Sequence, residues 1–151
     1  SEILLALEKA RGIDPRILIE EGLEVREIEC GIIGKSKLLT SEIGEVNYES
    51  DWYDYDSKYH SNNKIIIPAE IDSKITKEIK EIAIKSCRAL NIFGFARVDF
   101  FLEKSSNKIL LNEINTIPGF TKNSMFPMLW EASGLKIEQL VAKLVDISLD
   151  L

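Results

Sequence analysis

Asp99 and Glu113 are carboxylates within two strand-like apolar segments, where a packed sheet normally carries hydrophobic side chains. The segments, residues 94–101 and 109–115, flank a polar turn at 105–107. A hairpin closed at this turn places Asp99 opposite Glu113. Opposed carboxylates repel each other, and charges within apolar strands are costly unless something neutralises them. The spacing therefore predicts a bound cation.

The oxygen chemistry around this pair favours Mg²⁺. Alternation along the strands predicts that one face of the hairpin carries Arg97, Asp99 and Phe101 from the first strand, and Ile109, Leu111, Glu113 and Asn115 from the second. Carboxylate and amide oxygens are hard ligands, and neither cysteine nor histidine stands beside them in the sequence. Mg²⁺ bound in this way keeps coordination positions for water and phosphate oxygens.

Two structural alternatives remain open for these charges. Arg97 pairs with both acids in a network that needs no metal, or the strand faces solvent and the charges are hydrated. The turn-rich continuation at 115–121 favours a ligand site, because Gly119 lets the backbone approach a ligand closely. Ser124 is a candidate N-cap. A helix that starts after it, with Pro127 in the first turn, directs N–H groups and a positive dipole end at an anion.

These motifs resemble the C-terminal half of D-alanine–D-alanine ligases, members of the ATP-grasp superfamily. The similarity covers nearly the whole chain, and its most specific parts are residues 52–59, 96–99 and 112–121. It implies an α+β fold, the ATP-grasp C-terminal domain, with a mostly antiparallel sheet flanked by helices. On this basis we expect residues 1–20 to be a remnant of the central ATP-binding subdomain and 21–151 to be the catalytic domain. The N-terminal domain would be absent from this chain.

The resemblance assigns nucleotide contacts to three residues. Glu20 would bind the adenine amino group, the Leu23 backbone would contact the ring edge, and Glu27 would bind the ribose. Two neighbours depart from the family pattern, with Glu21 where lysine is common and Val25 where glycine is common. Ordinary strand-edge surface is the alternative interpretation of these positions.

The resemblance also assigns the metal and phosphoryl contacts. Asp99, Glu113 and Asn115 would hold two Mg²⁺ ions, with Glu113 bridging them and Mn²⁺ as an alternative metal. Arg97 would stabilise charge on the transferring phosphoryl group and on the tetrahedral intermediate.

The remaining family roles concern the lid and the second substrate. Lys58 would contact the γ-phosphate, and Tyr59 would order the lid and favour an amine as second substrate. A solvated loop with packed tyrosines is the alternative for this segment. Gly119 would donate its N–H to the oxyanion, and Ser124 with the Met125 backbone would clamp the carboxylate of the second D-alanine.

The implied reaction is ATP-dependent ligation of two D-alanines to D-alanyl-D-alanine through an acyl phosphate, for peptidoglycan precursor synthesis. ATP is the co-substrate. We expect a cytoplasmic enzyme that is a homodimer when intact, has no nucleic-acid or membrane partner, and is inactive as this chain alone. The alternatives are a D-alanyl-D-lactate or D-alanyl-D-serine ligase, a non-catalytic Mg²⁺–nucleotide-binding module, and a metal-free structural domain.

Composition excludes several other classes of function. The 151 residues carry a formal net charge of -6 and no basic stripe, which argues against a nucleic-acid backbone as partner. Cys30 and Cys87 lack metal-ligand spacing, so they are predicted to be buried free thiols in a reducing compartment. His60 is the only histidine, which excludes histidine-rich metal sites and most catalytic triads.

Periodicity and turn signals predict the order of elements. The first half has a helix at 1–10, strands at 16–20 and 27–33, one or two strands within 37–46, a long loop at 48–63 and a strand at 65–67. The second half has a helix from 72 or 73 to before 94, the hairpin 94–115, and helices at 124–133 and 136–149. Gly44 is predicted in a turn, and Leu90 on the apolar face of the helix after Asp72. In the last helix Val141 and Val145 are predicted to be buried with Ile137, Leu140 and Leu144.

Overall fold

A computed structural model describes residues 2–47 and 64–149. In chain order the elements are α1 (Glu2–Arg11), β1 (Val25–Gly34), β2 (Leu38–Asn47), β3 (Lys64–Ile66), α2 (Ser73–Ala89), β4 (Gly94–Glu103), β5 (Ile109–Asn115), α3 (Met125–Ala132) and α4 (Ile137–Leu149). The predicted α+β class is confirmed. The predicted loop at 48–63 lies outside the described residues.

The five strands form one antiparallel sheet in the order β3-β2-β1-β4-β5. Helix α2 covers one face of the sheet, where Ile79 and Ala83 pack against Ile28 and Val98 with no exposed surface. Of the two start positions that the sequence predicts, 72 and 73, Asp72 is the cap of this helix, because its carboxylate accepts a 2.7 Å hydrogen bond from the Lys74 N–H. The larger of two apolar cores therefore lies between the sheet and α2.

The opposite face of the sheet is covered by helices in one part and carries charged side chains in the other. At one end a second apolar core joins Ile33 to Phe126, Trp130 and Leu140 of α3 and α4. The close approach of α3 requires a bare backbone at Gly31, where a Cβ would lie 2.8 Å from the Trp130 Nε1 atom. The remainder of this face carries the charged residues of the predicted site. Helices α3 and α4 thus leave part of the sheet face open beside their own core.

Two strand predictions were wrong. Residues 16–20 have no strand conformation, since no described strand pairs with them and Leu18 and Ile19 are 80% and 76% exposed. Gly44 lies within β2 and not in a turn. Its bare backbone accommodates α3, because a Cβ there would lie 2.7 Å from Leu129 Cδ2.

Two predictions of buried helix faces were also wrong. Leu90 is the C-cap of α2 and is 64% exposed, because the helix ends before its side chain reaches the core. In α4 the positions that pack on the sheet are Leu140, Leu144 and Ile147, which form a single stripe at helical spacing. Val141 and Val145 lie beside this stripe and are 45% and 51% exposed.

A bulge changes which residues share the acidic face of the hairpin. The register pairs Asp99 with Glu113 and then shifts by one residue. Asn112 is the extra residue of this bulge. Beyond it Ile109 and Leu111 lie opposite core residues of β4, so the prediction that they share the face of Glu113 was wrong. After the shift Ile109 packs against the core on the α2 side, and Glu113 stays on the face of Asp99.

Candidate active site

Three carboxylates form a row across the open face of the sheet. Glu29 of β1 is opposite Asp99 of β4, and Asp99 is opposite Glu113 of β5. Arg97 and Asn115 form the next pair along the hairpin. The predicted opposition of Asp99 and Glu113 is therefore confirmed, and the row extends one strand further than the sequence analysis expected.

Arg97 is held by two of these carboxylates. Its Nε and Nη2 atoms donate hydrogen bonds of 2.8 and 2.7 Å to the two oxygens of Asp99. Glu29 Oε2 lies 2.9 Å from Arg97 Nε and forms an ion pair with it. The side chains of Arg97, Glu29 and Asp99 are only 16%, 12% and 13% exposed. The predicted network is present in part: Arg97 pairs with Asp99, but its second partner is Glu29 and not Glu113. Glu113 is exposed, so hydration describes that carboxylate but not Asp99.

The electrostatic balance around Arg97 favours its charged form. Burial alone disfavours the guanidinium charge and acts to lower the pKa of Arg97. The hydrogen bonds to Asp99 and the negative charges of Glu29, Asp99 and Glu113 outweigh burial, so the pKa of Arg97 is raised above its ordinary value. Arg97 is consequently a fixed positive charge on this face at any physiological pH.

The predicted metal ligands supply suitable atoms but are not arranged as a ready-made cage. Within residues 2–47 and 64–149, no three His, Cys, Asp or Glu side chains converge on a common metal position. Both Asp99 oxygens accept from Arg97, and Asn115 Oδ1 accepts a 3.1 Å hydrogen bond from the Ile117 N–H. The donor set, two opposed carboxylates and an amide oxygen, has the hard-ligand chemistry that Mg²⁺ prefers. These residues fit the metal by the chemistry of their donor atoms.

The predicted nucleotide contacts share one cleft with the acidic hairpin. This cleft has a volume of about 470 Å³, and its walls are formed by Glu20, Glu21, Leu23, Val25, Glu27, Phe101, Asn112 and Glu113. Glu20, Leu23 and Glu27 come from the connection before β1 and from its start, whereas Glu113 comes from β5. The fold thus brings residues about 90 positions apart in sequence to the same opening. A cleft of this size is within the range of ligand sites in proteins.

The loop that carries Gly119 and Ser124 is fixed to the other end of the same face. Phe120 packs between Phe95 and Phe126, with ring centroids 6.3 and 5.8 Å away. A Cβ at Gly119 would lie 2.9 Å from Ser124 Oγ, so the two residues are in close contact. Aromatic packing therefore holds this loop in a defined position relative to the sheet.

Ser124 occupies the N-cap position of α3 but does not cap the helix with its side chain. Its Oγ atom instead accepts a 3.0 Å hydrogen bond from the Thr121 N–H and lies 2.8 Å from Thr121 Oγ1. The helix begins at Met125 as expected from the sequence. Ser124 thus leaves the first N–H groups of the helix without a side-chain acceptor of its own, as a helix end that binds an anion requires.

Two residues of the predicted site are not described by the structure, and one residue of the carboxylate row was missed. Lys58 and Tyr59, the predicted lid contacts, lie outside the described residues. Glu29 was missed by the sequence analysis, although strand alternation from Glu27 places it on the same face. Alternation alone did not place Glu29 beside Asp99, because that requires knowing that β1 pairs with β4.

Sequence comparison identifies relatives over the full chain. The family model described as "D-ala D-ala ligase C-terminus" matches residues 1–146. A D-alanine–D-alanine ligase of Prochlorococcus marinus strain MIT 9301 is 97% identical over 151 residues, and the one of strain NATL2A is 51% identical over 148 residues. This chain spans 42% of the length of either relative.

Solved structures give the same result for the fold. The D-alanine–D-alanine ligase of Coxiella burnetii matches with a TM-score of 0.84 and 35% identity, over 99% of this chain and 39% of that one. The VanG D-Ala:D-Ser ligase of Enterococcus faecalis matches with a TM-score of 0.85 and 36% identity, over 97% of this chain and 43% of that one. The resemblance inferred from the hairpin and loop motifs is confirmed: this chain belongs to the D-alanine–D-alanine ligase family and corresponds to its C-terminal part.

Proposed function

We propose that this chain is the C-terminal catalytic part of an enzyme that joins two D-alanines to D-alanyl-D-alanine, at the expense of ATP, for peptidoglycan precursors. The activity belongs to the parent protein, because the chain spans only 42% of its relatives' length. The observation that carries the proposal is the shared cleft, in which Glu20, Leu23 and Glu27 open onto the same space as Glu113.

The cleft suits a nucleotide that extends toward the carboxylate row. Glu20 and the Leu23 backbone would bind the adenine, and Glu27 would accept hydrogen bonds from the ribose hydroxyls. Phe101 contributes an apolar wall, which suits an aromatic base. The phosphates would then lie toward Asp99 and Glu113, where an acidic protein needs a cation to bind a polyanion.

Asp99, Glu113 and Asn115 would hold two Mg²⁺ ions, with Mn²⁺ as a substitute, which would offset the negative charge of the phosphates. Arg97 would stabilise the charge that develops on the phosphoryl group as it moves to the carboxylate of the first D-alanine. The amine of the second D-alanine would then attack the acyl phosphate, releasing phosphate. Lys58 and Tyr59 would close over this reaction and exclude water.

The 116–124 loop would bind the second D-alanine. The Gly119 N–H would donate to the oxyanion of the tetrahedral intermediate. Ser124 and the Met125 backbone at the start of α3 would hold the carboxylate of the incoming amino acid. The aromatic packing of Phe120 supports this assignment, because a pre-positioned donor costs no reorganisation during the reaction.

The domain organisation, assembly and location follow from the same proposal. Residues 1–20 would belong to the central ATP-binding subdomain and residues 21–151 to the catalytic domain, and the parent would be a cytoplasmic homodimer. Helix α1 supports the division, since it buries none of its residues against the rest of the described chain. No helix within residues 2–47 and 64–149 combines the length and apolarity needed to cross a bilayer.

ADP release by the parent protein with Mg²⁺ and ATP tests the proposal. We expect turnover with D-alanine alone, and no turnover from the 151-residue chain by itself. Asp99→Asn and Glu113→Gln in the parent should each abolish turnover, whereas Glu45→Gln on the other face of the sheet should not. Near-normal turnover in the first two variants would contradict the metal assignment.

A D-alanyl-D-serine ligase is the second candidate, because the VanG D-Ala:D-Ser ligase matches this fold as well as a D-alanine–D-alanine ligase does. Adding D-serine or D-lactate to the D-alanine assay distinguishes the candidates. A mixed product in preference to D-alanyl-D-alanine would favour the alternative. ATP binding without any amino-acid-dependent ADP release would instead indicate a non-catalytic nucleotide-binding module.

A further inference from the structure

Glu29 is a buried carboxylate of the site to which neither the sequence analysis nor the proposed reaction assigns a role. It lies opposite Asp99 on the side away from Glu113. Its Oε2 atom is 2.9 Å from Arg97 Nε, and its side chain is 12% exposed. The two opposite charges attract each other strongly at this distance, because both side chains are largely removed from water.

The hydrogen bonds of Asp99 create a conflict that Glu29 can resolve. Arg97 occupies both Asp99 oxygens, yet the proposed function requires an Asp99 oxygen for a divalent cation. If Asp99 were its only anchor, a cation bound by Asp99 would share the same negative charge with Arg97 and repel the guanidinium, which would weaken the hold on Arg97. Glu29 offers a second anchor on the neighbouring strand, already in contact with Arg97 and away from Glu113.

We propose that Glu29 is a positioning residue that retains Arg97 on the open face of the sheet when Asp99 turns to a divalent cation. The proposal rests on the proposed function, since it concerns the same metal and phosphoryl site. Arg97 then has two arrangements, one shared between Asp99 and Glu29 and one held by Glu29. Glu29 contributes the negative charge that makes the second arrangement favourable, and it contacts neither substrate nor metal.

A purely structural salt bridge is the competing explanation, and the chain offers a matched control for it. Arg26 and Glu45 form another partly buried pair, with hydrogen bonds of 2.8 and 2.6 Å. Glu45 is opposite Ile28 in the sheet, so this pair lies on the face covered by α2, away from the site. Glu45→Gln removes a comparable ion pair without touching Arg97 or Asp99.

The test is made in the full-length parent with Mn²⁺ as the probe. Calorimetric titration without nucleotide measures Mn²⁺ affinity, and steady-state ADP release gives kcat and KM separately. We expect Glu29→Gln to weaken Mn²⁺ binding and to lower kcat, each by about 10-fold or more, as for residues that support metal ligands. The KM for ATP should change less than kcat. Glu45→Gln should lower the melting temperature while leaving Mn²⁺ affinity and kcat near wild type.

A double-mutant cycle separates positioning from the direct electrostatic effect of losing one negative charge. In an Arg97→Gln background, Glu29→Gln should have little further effect on Mn²⁺ affinity, because no arginine remains to be repositioned. An undiminished effect in that background would overturn the proposal, as would wild-type Mn²⁺ affinity and kcat in Glu29→Gln. Glu29→Asp, which keeps the charge but shortens the side chain, replaces Glu29→Gln if the latter does not fold.

Failure of the proposed function gives a different pattern. A wild-type parent that binds Mn²⁺ but releases no ADP with D-alanine would contradict the ligase reaction, and the Mn²⁺ titrations would still decide the role of Glu29. A wild-type parent that releases ADP with D-alanine but binds no Mn²⁺ in the absence of nucleotide would overturn the role of Glu29 and leave the ligase reaction standing.

Discussion

Arg97 and Asp99 lie two residues apart on β4 and are joined by two parallel hydrogen bonds of 2.8 and 2.7 Å. Both side chains project from the same face of the strand, so the guanidinium lies along the strand and covers both oxygens of the carboxylate. The contact neutralises an acid that also faces Glu113 on the neighbouring strand. The residue proposed to stabilise the transition state therefore also stabilises the site when no cation is bound.

Replacing Arg97 should make the stability of the protein depend on divalent cations. Arg97→Gln leaves the buried Asp99 carboxylate without the guanidinium that binds both its oxygens, and losing one member of a buried ion pair costs about 3 kcal/mol. We expect a lower melting temperature in EDTA and a larger rise on adding Mg²⁺ than in wild type. Arg26→Gln is the control. It should lower the melting temperature because Glu45 loses its partner, but Mg²⁺ should raise that temperature no more than in wild type. Equal Mg²⁺ responses in the two variants would contradict this prediction.

Gly31 should not tolerate a methyl group. Alanine at this position would place its Cβ 2.8 Å from Trp130 Nε1 and 3.0 Å from Ser41 Oγ, both in the interior of the molecule. Strain of this kind typically costs about 1–3 kcal/mol. The midpoint of denaturant unfolding should therefore fall in Gly31→Ala. Gly22→Ala is the matched control, since no atom lies within 4 Å of a Cβ built there, and an equal loss in both variants would rule out the packing explanation.

Ser124 and Asp72 stand at the start of two helices but should respond differently to replacement by alanine. Asp72 accepts from the Lys74 N–H, so Asp72→Ala should cost about 1 kcal/mol of stability with little effect on activity. The Ser124 hydroxyl contacts Thr121 and does not cap the helix backbone, so Ser124→Ala should cost less stability but raise the KM for D-alanine. Unfolding curves and steady-state kinetics of the two variants check this contrast. An unchanged KM in Ser124→Ala would remove Ser124 from the substrate site.

The two cysteines should be unreactive until the protein unfolds. Burial raises the pKa of Cys30 to about 12 and also raises the pKa of Cys87. Mass-spectrometric mapping of the parent after iodoacetamide treatment at pH 8 should show both thiols unmodified in the native state and alkylated in guanidinium. Rapid native labelling would contradict their burial.

Because the Cys30 thiol is buried, we expect the protein to lose stability at alkaline pH. The folded-state pKa of Cys30 lies above the ordinary value of 9.0, so the protonated thiol supports folding fully below pH 9. Its contribution should be lost as the pH rises from 9 toward 12. Cys30→Ala should show a weaker decline in melting temperature over this range than wild type does. Parallel declines would show that other groups cause the alkaline loss.

The sequence alone determined the hairpin and its chemistry. A polar turn between two apolar segments was sufficient to set Asp99 opposite Glu113, because strand alternation and hairpin closure are local properties. The Asp72 cap and the start of α3 after Ser124 were likewise readable from nearby residues. The family resemblance rested on the same local motifs.

Only the tertiary structure decided which strands pair and which residues face one another, because both depend on residues far apart in the sequence. The bulge after Asp99 moved Leu111 to the other face, and residues 16–20 formed no strand because a strand needs a partner for its backbone hydrogen bonds. Glu29 joined the site because β1 pairs with β4, which brings it opposite Asp99, 70 positions away in sequence. Periodicity along one segment shows which side chains share a face as long as the strand pairing is regular. The identity of the residues that face them is set by long-range packing.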